Sequence, residues 1–439
     1  MISFFSIILF FFFIINSFCF DNNDKFTSAE IAIPFKTLND RDNVVIKTNI
    51  LGEIKNCSID ITSSEQLFYF SKEILKKNNI YNNKYKSLTN QDGEKINGYN
   101  KKTNIEFTGN EYRKSLIVKN IKSIIIKSSK KDKIHSLGLS HYIKEENSIV
   151  HSLYNSHMIS GRQFSILYSY PDWGTLSFGT EGTLVTNMTN LLRKCNAVDS
   201  PYWGCHLSGI YIENIDLPLE DEKIKNNNIN IEINQDTIFD NGSSDVIVPE
   251  EVFDFFYKYY FDKSLFDENK CKIYENHFYK KIICDGLENN KNKNDFENMK
   301  RIHFVFDEVV DIYLLGKYFF DKNKNFKIIY IKNNFYFIFG KVFLSHYYMI
   351  YNYDENSIKF FGMFGGRYLK SKIDYTKNIN VKKSFIKKNY IRYKIPTINE
   401  NIFPLLKILF IFVLIGNIVT FITLYKIKRN KKLRELLLE

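Results

Sequence analysis

The chain has 439 residues, 44% of them hydrophobic, so it is long enough to bury a sizeable core. With 40 Phe and 29 Tyr but only 19 Gly and 7 Pro, its composition excludes collagen-like, proline-rich and glycine-linker architectures. The net charge of +12 lies at the C-terminal end, where residues 367–439 hold 17 Lys and Arg against 4 Asp and Glu. The rest of the chain is nearly neutral, so we expect no nucleic-acid partner.

The N-terminal end carries an apolar run, ISFFSIILFFFFII, that has the length of a signal-peptide core. The small residues Ser17 and Cys19 follow at the positions that a signal peptidase reads, which predicts a signal peptide over residues 1–19. No Lys or Arg precedes the core, so an uncleaved signal anchor stays open as an alternative. Either reading sends the chain into the secretory pathway.

The body of the chain consists of short apolar runs between polar, Asn-rich loops, which predicts a mainly β fold. Helical patterns are few and short, and the last of them opens with a proline and two acidic residues. The strand-like runs are NVVIKTNIL, SLIVKNIKSIIIK, QFSILYS, GTLSFG, GCHLSGIYIENI, DTIFDNG, RIHFVFD, NFKIIYIK, NFYFIFGKVFL, YYMIYNY and SIKFFG, and the helical ones are SSEQLFYFSKEIL, NSIVHSLYNSHMI and PEEVFDFFYKYYF.

The cysteines of the body form two close pairs and one single residue. Cys195 and Cys205 are ten residues apart and Cys271 and Cys284 are thirteen apart, whereas Cys57 has no near neighbour. In an oxidising lumen these pairs are the natural disulfides. Neither pair has the spacing of a zinc site, and the histidines show no HExxH pattern, so we expect neither a metal nor a cofactor.

The C-terminal end predicts a membrane anchor. Residues 404–425 include 21 consecutive residues, LLKILFIFVLIGNIVTFITLY, in which only Lys407 is charged, long enough for a transmembrane helix. A basic juxtamembrane stalk, 363–403, precedes this helix, and a basic tail, 426–439, follows it. The tail begins KIKRNKKLR, so the positive-inside tendency places it in the cytosol and the body in the lumen or outside. This is the topology of a single-pass type I protein.

Two acidic segments have the same pattern. Asp60 in NCSIDITSSEQLFYF and Asp240 in DTIFDNGSSDVIVPEE each end an apolar strand, and two serines and then an apolar stretch follow. Two facing carboxylates suit acid-catalysed hydrolysis, because they cannot both ionise at close range: one keeps a proton while the other activates water. An aspartate at a strand end is also a common turn or cap residue, and the pattern alone leaves that alternative open.

The second of these segments, DNGSSDVIVPEEVFDFF, resembles the second catalytic loop of the pepsin-like aspartic proteases, and DITSS lies where their first loop belongs. Further landmarks follow in the family's order over residues 40–362: the SLGLSHY turn, the GTLSFG hairpin, the YWGCHLSGIYIEN strand and the closing FYFIFGKVFL segment. In composition and layout the chain is most similar to the plasmepsins. The resemblance implies a bilobal β fold with lobes over 20–189 and 190–362 and an extended polypeptide in the cleft between them.

The resemblance also assigns roles to individual residues. It implies that Asp60 and Asp240 are the catalytic pair, and that the hydroxyls of Ser63 and Ser243 bond the outer carboxylate oxygens. Gly242 would let its N–H approach Asp240. A sixth residue, Phe107 in IEFTGNEY, falls where the flap tyrosine of the family belongs.

The catalytic loops depart from the family's pattern at several positions. The hydroxyl residue after each aspartate is replaced by Ile61 and Asn241, and Thr62 stands in place of a glycine. Lys341 occupies a position where the family usually has an acid. Two functions therefore stay open: a membrane-tethered aspartic endopeptidase, and a pseudoprotease that binds a polypeptide by strand addition.

Overall fold

A computed structural model of the chain describes residues 31–37, 44–89, 95–108, 116–128, 135–169, 173–179, 192–213, 229–287, 289–290, 293–294, 299–361 and 366–368. All of them belong to one compact unit, Met1–Val381. Over these residues the strands are β1 (Ile31–Thr37), β2 (Val44–Ile50), β3 (Glu53–Asp60), β4 (Gln66–Phe70), β5 (Tyr85–Thr89), β6 (Lys95–Phe107), β7 (Leu116–Lys127), β8 (His135–Gly138), β9 (Gln163–Ser169), β10 (Trp173–Phe178), β11 (Leu192–Asn196), β12 (His206–Glu213), β13 (Ile229–Phe239), β14 (Val246–Val248), β15 (Lys272–Glu275), β16 (Tyr279–Ile283), β17 (Asn289–Asn290), β18 (Lys293–Asn294), β19 (Arg301–Phe306), β20 (Val310–Leu314), β21 (Ile328–Ile331), β22 (Phe337–Phe339), β23 (Tyr348–Asn352), β24 (Ser357–Phe361) and β25 (Gly366–Tyr368).

Helices in the same residues are short. They are α1 (Lys72–Lys77), α2 (Ile149–Asn155), α3 (Glu250–Phe255), α4 (Lys263–Asp267) and α5 (Lys341–Leu344), with 3₁₀ turns at Ile80–Asn82, Glu145–Asn147 and Gly316–Phe319 and a π-helical turn at Phe256–Tyr260. The molecule is therefore mainly β, as the sequence predicts.

The strands form two large sheets, which are the bases of two lobes. The first has the order β11-β24-β23-β9-β10-β1-β2-β3-β8-β4-β7-β6-β5 and the second the order β15-β16-β21-β14-β22-β13-β12-β19-β20-β25. Strands β11, β23 and β24, which fall within the predicted second lobe at 190–362, extend the first sheet next to β9. Backbone hydrogen bonds, as well as side-chain packing, therefore join this part of the chain to the strands that precede it.

Each of the eleven apolar runs contains a strand, and two of the three helical patterns form helices, at α2 and at α3 with its π-helical turn. The prediction of a helix over SSEQLFYFSKEIL is wrong in its first part. Residues 66–70 form β4, where buried and half-buried residues alternate, and the helix α1 begins only at Lys72. The alternation has the two-residue period of a strand, and it outweighs the helix propensity of the segment.

A three-strand arrangement occurs once in each lobe. In the first lobe β8 lies between β3, to which it is parallel, and β4, to which it is antiparallel. In the second lobe β22 lies between β13 and β14 with the same directions. Gly138 ends β8 and Gly340 follows β22; a Cβ on either would meet a backbone oxygen, at 2.5 Å from Ser63 O or 2.1 Å from Asp245 O. Glycine therefore allows the middle strand to press against the loop in both lobes.

Phenylalanines fill the core of the second lobe behind β13. Phe239, Phe304, Phe339 and Phe343 are all fully buried. Ring centroids lie 5.6 Å apart for Phe239 and Phe339, 5.0 Å for Phe304 and Phe339, and 4.4 Å for Phe339 and Phe343. Aromatic pairs in such tilted contacts stabilise a core beyond the area they bury. The end of β13 is thus held in place directly before Asp240.

One polar group is buried in the same lobe, and we call it the His303 cluster: His303, Glu213, Asp311 and Tyr211. His303 is fully buried, with Nδ1 2.9 Å from Asp311 Oδ1 and Nε2 2.9 Å from Glu213 Oε2. The Tyr211 hydroxyl donates to Asp311, and the Tyr211 ring stacks on the imidazole at 4.0 Å. A protonated His303 together with Arg301, which lies 3.4 Å from Glu213 Oε2, balances the negative charges of the two buried carboxylates.

The predicted signal peptide, the transmembrane segment, the cytosolic tail and most of the stalk lie outside the described residues. Within the described residues, no helix is long and apolar enough to cross a membrane.

Candidate active site

Asp60 ends β3, and the loop that follows surrounds its carboxylate with donors. The N–H groups of Thr62 and Ser63 each donate to Asp60 Oδ1 at 3.0 Å, and the Thr62 hydroxyl donates to the same oxygen at 2.7 Å. On the other side, the Ser136 hydroxyl lies 3.4 Å from Asp60 Oδ2. The loop and β8 together fix the orientation of the carboxylate.

Asp240 follows β13 and takes the equivalent place in the second lobe. The Gly242 N–H donates to Asp240 Oδ1 at 2.8 Å. A Cβ at position 242 would lie only 3.1 Å from that oxygen, so glycine is the residue that fits there without a shift. The Ser243 N–H donates to the backbone oxygen of Asp240 at 3.3 Å, which closes the turn.

The hydroxyls of the two serines do not have the partners that the sequence predicts. Ser63 Oγ donates to the Glu65 carbonyl at 3.1 Å and Ser243 Oγ to the Asp245 carbonyl at 3.2 Å. Each hydroxyl bridges its own tight turn, where the nearest acceptor is the carbonyl two residues on. The structure therefore places Ser63 and Ser243 as turn residues; near Asp60 the hydroxyl donors are Thr62 and Ser136 instead.

The side chain of Asn241 connects the two aspartate loops. Its Oδ1 accepts the N–H of Ile61 at 3.2 Å, and its Nδ2 donates to the carbonyl of Ile59 at 2.9 Å. Asn241 is almost fully buried, so water does not compete for either hydrogen bond. Ile59 and Ile61 flank Asp60, and Asn241 directly follows Asp240. One amide therefore ties the backbone on both sides of the first aspartate to the residue beside the second.

The two aspartates also interact electrostatically. Burial raises the pKa of Asp240; the Gly242 N–H offsets part of that rise, and the charge of Asp60 adds to it. Burial and the charges of Asp60 and Asp240 also raise the pKa of Tyr202, which places this phenol within electrostatic reach of both carboxylates. A pair of carboxyls in which one has a raised pKa can share a proton between them.

A comparison with models of known protein families agrees with the geometry of the two aspartate loops. The family model for eukaryotic aspartyl proteases matches residues 53–362, well over half of the chain. The chain belongs to the eukaryotic aspartyl protease family. A search of curated proteins found no match. Both aspartate loops, with Asp60 and Asp240, lie inside the residues that match the family.

The structure places Phe107, the predicted flap residue, at the last residue of β6, where it pairs with Leu116 of β7. Phe107 is 2% exposed, pairs with Thr48 of β2 and packs its ring on Phe178 at 6.3 Å. Residues 108–115 connect β6 to β7 directly after it, and its role as a flap residue stays a prediction. The side chain fills the interior of the first lobe because that end of β6 joins β2 in the sheet.

Sequence reasoning missed or misjudged three groups of the site. Thr62 departs from the family's glycine, yet its N–H and hydroxyl both reach Asp60. Asn241 departs from the family's hydroxyl residue, yet its amide offers both a donor and an acceptor. Ser136 lies 76 residues after Asp60, and only the parallel pairing of β3 with β8 brings it near. No local pattern signals that contact.

The two predicted disulfides are present. Cys195 is bonded to Cys205 and Cys271 to Cys284, while Cys57 is free and buried, with its Sγ 2.8 Å from Thr48 Oγ1. Burial raises the pKa of Cys57 to about 12, so its thiol stays protonated. Among the described residues, no three His, Cys, Asp or Glu side chains are grouped so that they could hold a metal ion.

Proposed function

We propose that the chain is an aspartic endopeptidase that hydrolyses peptide bonds with Asp60 and Asp240 as the two catalytic carboxyls. The observation that carries the proposal is the Asn241 bridge, which fixes the two aspartate loops against each other. In the family, the hydroxyl residues after the two aspartates link the loops. Here Ile61 has no hydroxyl, and the amide of Asn241 makes the link from the second loop alone.

The raised pKa of Asp240 suggests the direction of proton transfer. Asp240 holds the proton and donates it to the carbonyl oxygen of the scissile bond, while Asp60 takes a proton from the attacking water. The water oxygen then bonds to the carbonyl carbon and gives a tetrahedral diol. Collapse of the diol breaks the C–N bond as Asp60 gives its proton to the leaving nitrogen and Asp240 takes a proton back from a diol hydroxyl. The products are a carboxylic acid and an amine, and both aspartates return to their starting protonation states. No covalent intermediate with the protein forms.

We also propose that the enzyme is tethered to a membrane of the secretory pathway as a type I protein, and that it is a plasmepsin-like member of its family. The tether rests on the apolar segment at 404–425 and the basic residues after it, and the subtype rests on composition and layout. A lumenal body agrees with the two disulfides. The substrate class is then a polypeptide that enters the cleft in extended form.

The test is a cleavage assay with the full-length chain in detergent micelles and a library of peptides. Cleavage should be fastest in acid and should fall as the pH rises past the raised pKa of Asp240, because that carboxyl must be protonated. A statine-containing peptide should inhibit, since its hydroxyl resembles the tetrahedral state, and the same peptide without that hydroxyl should inhibit much less. Binding of peptides without any cleavage would overturn the proposal in favour of the pseudoprotease; a rate unaffected by statine would overturn the two-aspartate mechanism.

A further inference from the structure

A charged pair lies beside the first aspartate loop, away from the aspartates themselves. Glu65 is the fifth residue after Asp60, and its Oε1 is 2.7 Å from the ammonium of Lys86 on β5. Its Oε2 accepts from Asn147 Nδ2 at 3.1 Å. The side chains of Lys86 and Glu65 are 34% and 20% exposed, so the pair is partly shielded from water. Such a pair is worth more than a fully exposed one.

The strand that carries Lys86 has few other attachments. β5 is the last strand of the first sheet, and among the described strands it pairs with β6 alone. The rings of Tyr81 and Tyr85 pack on Tyr99 of β6, which holds the hairpin together but does not join it to the aspartate loop. The Lys86–Glu65 ion pair makes that connection directly.

The second lobe has a matching pair in a different setting. Asp245 stands in its loop where Glu65 stands in the first, two residues after the turn serine, and its carboxylate is 2.6 Å from the ammonium of Lys327. Lys327 directly precedes β21, an inner strand that pairs with both β14 and β16. Both pairs join a lysine to a carboxylate of an aspartate loop. β21, however, is bonded to a strand on each side, whereas β5 is an edge strand.

We propose that the Lys86–Glu65 ion pair holds the β5–β6 hairpin against the loop of Asp60, and that Lys86 is thereby a positioning residue for polypeptide binding. Breaking the pair frees an edge strand beside the catalytic loop, whereas breaking the Asp245–Lys327 pair leaves an inner strand in place. The role in substrate binding rests on the proposed function; the attachment of the hairpin does not.

The first measurement is amide hydrogen exchange on the full-length chain. In Lys86→Met, which keeps the apolar stem and removes the charge, exchange over 85–89 and the start of β6 should be at least about threefold faster than in the wild type. Lys327→Met is the matched control and should leave exchange in both its own strand and β5 unchanged within about twofold. Lys86→Arg should restore protection. Unchanged exchange in Lys86→Met would overturn the proposal.

The second measurement is the kinetics of peptide cleavage by the same variants. Lys86→Met should raise KM about three- to tenfold with kcat within about twofold, because on this proposal a loosened hairpin weakens polypeptide binding equally in the ground state and the transition state. Faster exchange with an unchanged KM would show that the pair attaches the hairpin but does not position substrate. A wild type that cleaves nothing would refute the proposed function, while the exchange experiment would still decide the attachment.

Discussion

Replacing either Asp60 or Asp240 with asparagine is expected to lower peptide hydrolysis by at least about a thousandfold, which corresponds to about 4 kcal/mol of transition-state stabilisation. Asparagine is nearly the same size and keeps an oxygen that can accept from Thr62 or Gly242. Asparagine can neither take a proton from water nor donate an acidic proton, and the remaining aspartate cannot act as base and acid in the same step. The measurement is the initial rate on the best peptide at acidic pH.

The matched control is Asp354→Asn, which removes an exposed carboxylate that pairs with Arg162 at 2.6 Å. It should retain the rate within about twofold, because a surface ion pair contributes little. A wild-type rate in Asp60→Asn or Asp240→Asn would show that the hydrolysis comes from another group or from a contaminating protease.

Replacing His303 with leucine is expected to lower the free energy of unfolding by about 3–5 kcal/mol, since it removes the buried cation beside Asp311 and leaves Glu213 with Arg301 alone. Burial opposes the charge of His303, but the charge of Asp311 and the hydrogen bonds with both carboxylates outweigh it and raise the pKa of the histidine. Urea unfolding of the full-length chain, followed by the fluorescence of buried Trp203, measures the loss.

The His303 cluster should also give the wild type a pH-dependent stability. The pKa of His303 is raised above 6.5, so its contribution is complete below pH 6.5 and is lost as the pH rises through the folded-state value. Burial opposes ionisation of Glu213, yet the hydrogen bond and charge of His303, together with Arg301, lower the pKa of Glu213 below 4.5. The contribution of Glu213 to stability is therefore complete above pH 4.5 and is lost as the pH falls through its folded-state pKa. The contribution of the His303 cluster to stability is therefore greatest between pH 4.5 and pH 6.5.

Two variants separate the cluster from other histidines. In His303→Leu the loss of stability between pH 6.5 and alkaline pH should become smaller than in the wild type. His206→Gln, which removes a half-exposed histidine bonded to Asp236, should keep most of the wild-type dependence. The same pH dependence in His303→Leu as in the wild type would contradict the assignment.

The fold could be predicted from sequence because its evidence is local. Runs such as QFSILYS and RIHFVFD are apolar, rich in strand-forming residues and bounded by polar turns, and they form β9 and β19. The repeated Asp–x–x–Ser–Ser pattern was informative because both copies build the same turn, with a serine hydroxyl bonded to the carbonyl two residues on. Close spacing of cysteines likewise predicted both disulfides.

The details of the site could not be predicted because they depend on contacts between distant parts of the chain. In the sequence, Asn241 is simply the loss of a hydroxyl residue. Only the structure shows that its amide reaches the backbone of Ile59 and Ile61, about 180 residues earlier. Nor does the sequence show that the side chain of Phe107, at the end of β6 next to the β6–β7 connection, is buried against Phe178. Register along a long strand decides such a position, and sequence spacing does not fix register.

The convergence of Asp60 and Asp240 on one reacting group is tested most directly by a crystal structure of the protein grown in acid with a statine-containing peptide. The account predicts that the peptide lies extended between the lobes and that its statine hydroxyl is within about 3 Å of a carboxylate oxygen of each aspartate. A peptide bound with that hydroxyl away from both carboxylates, or aspartates too far apart to share it, would contradict the account.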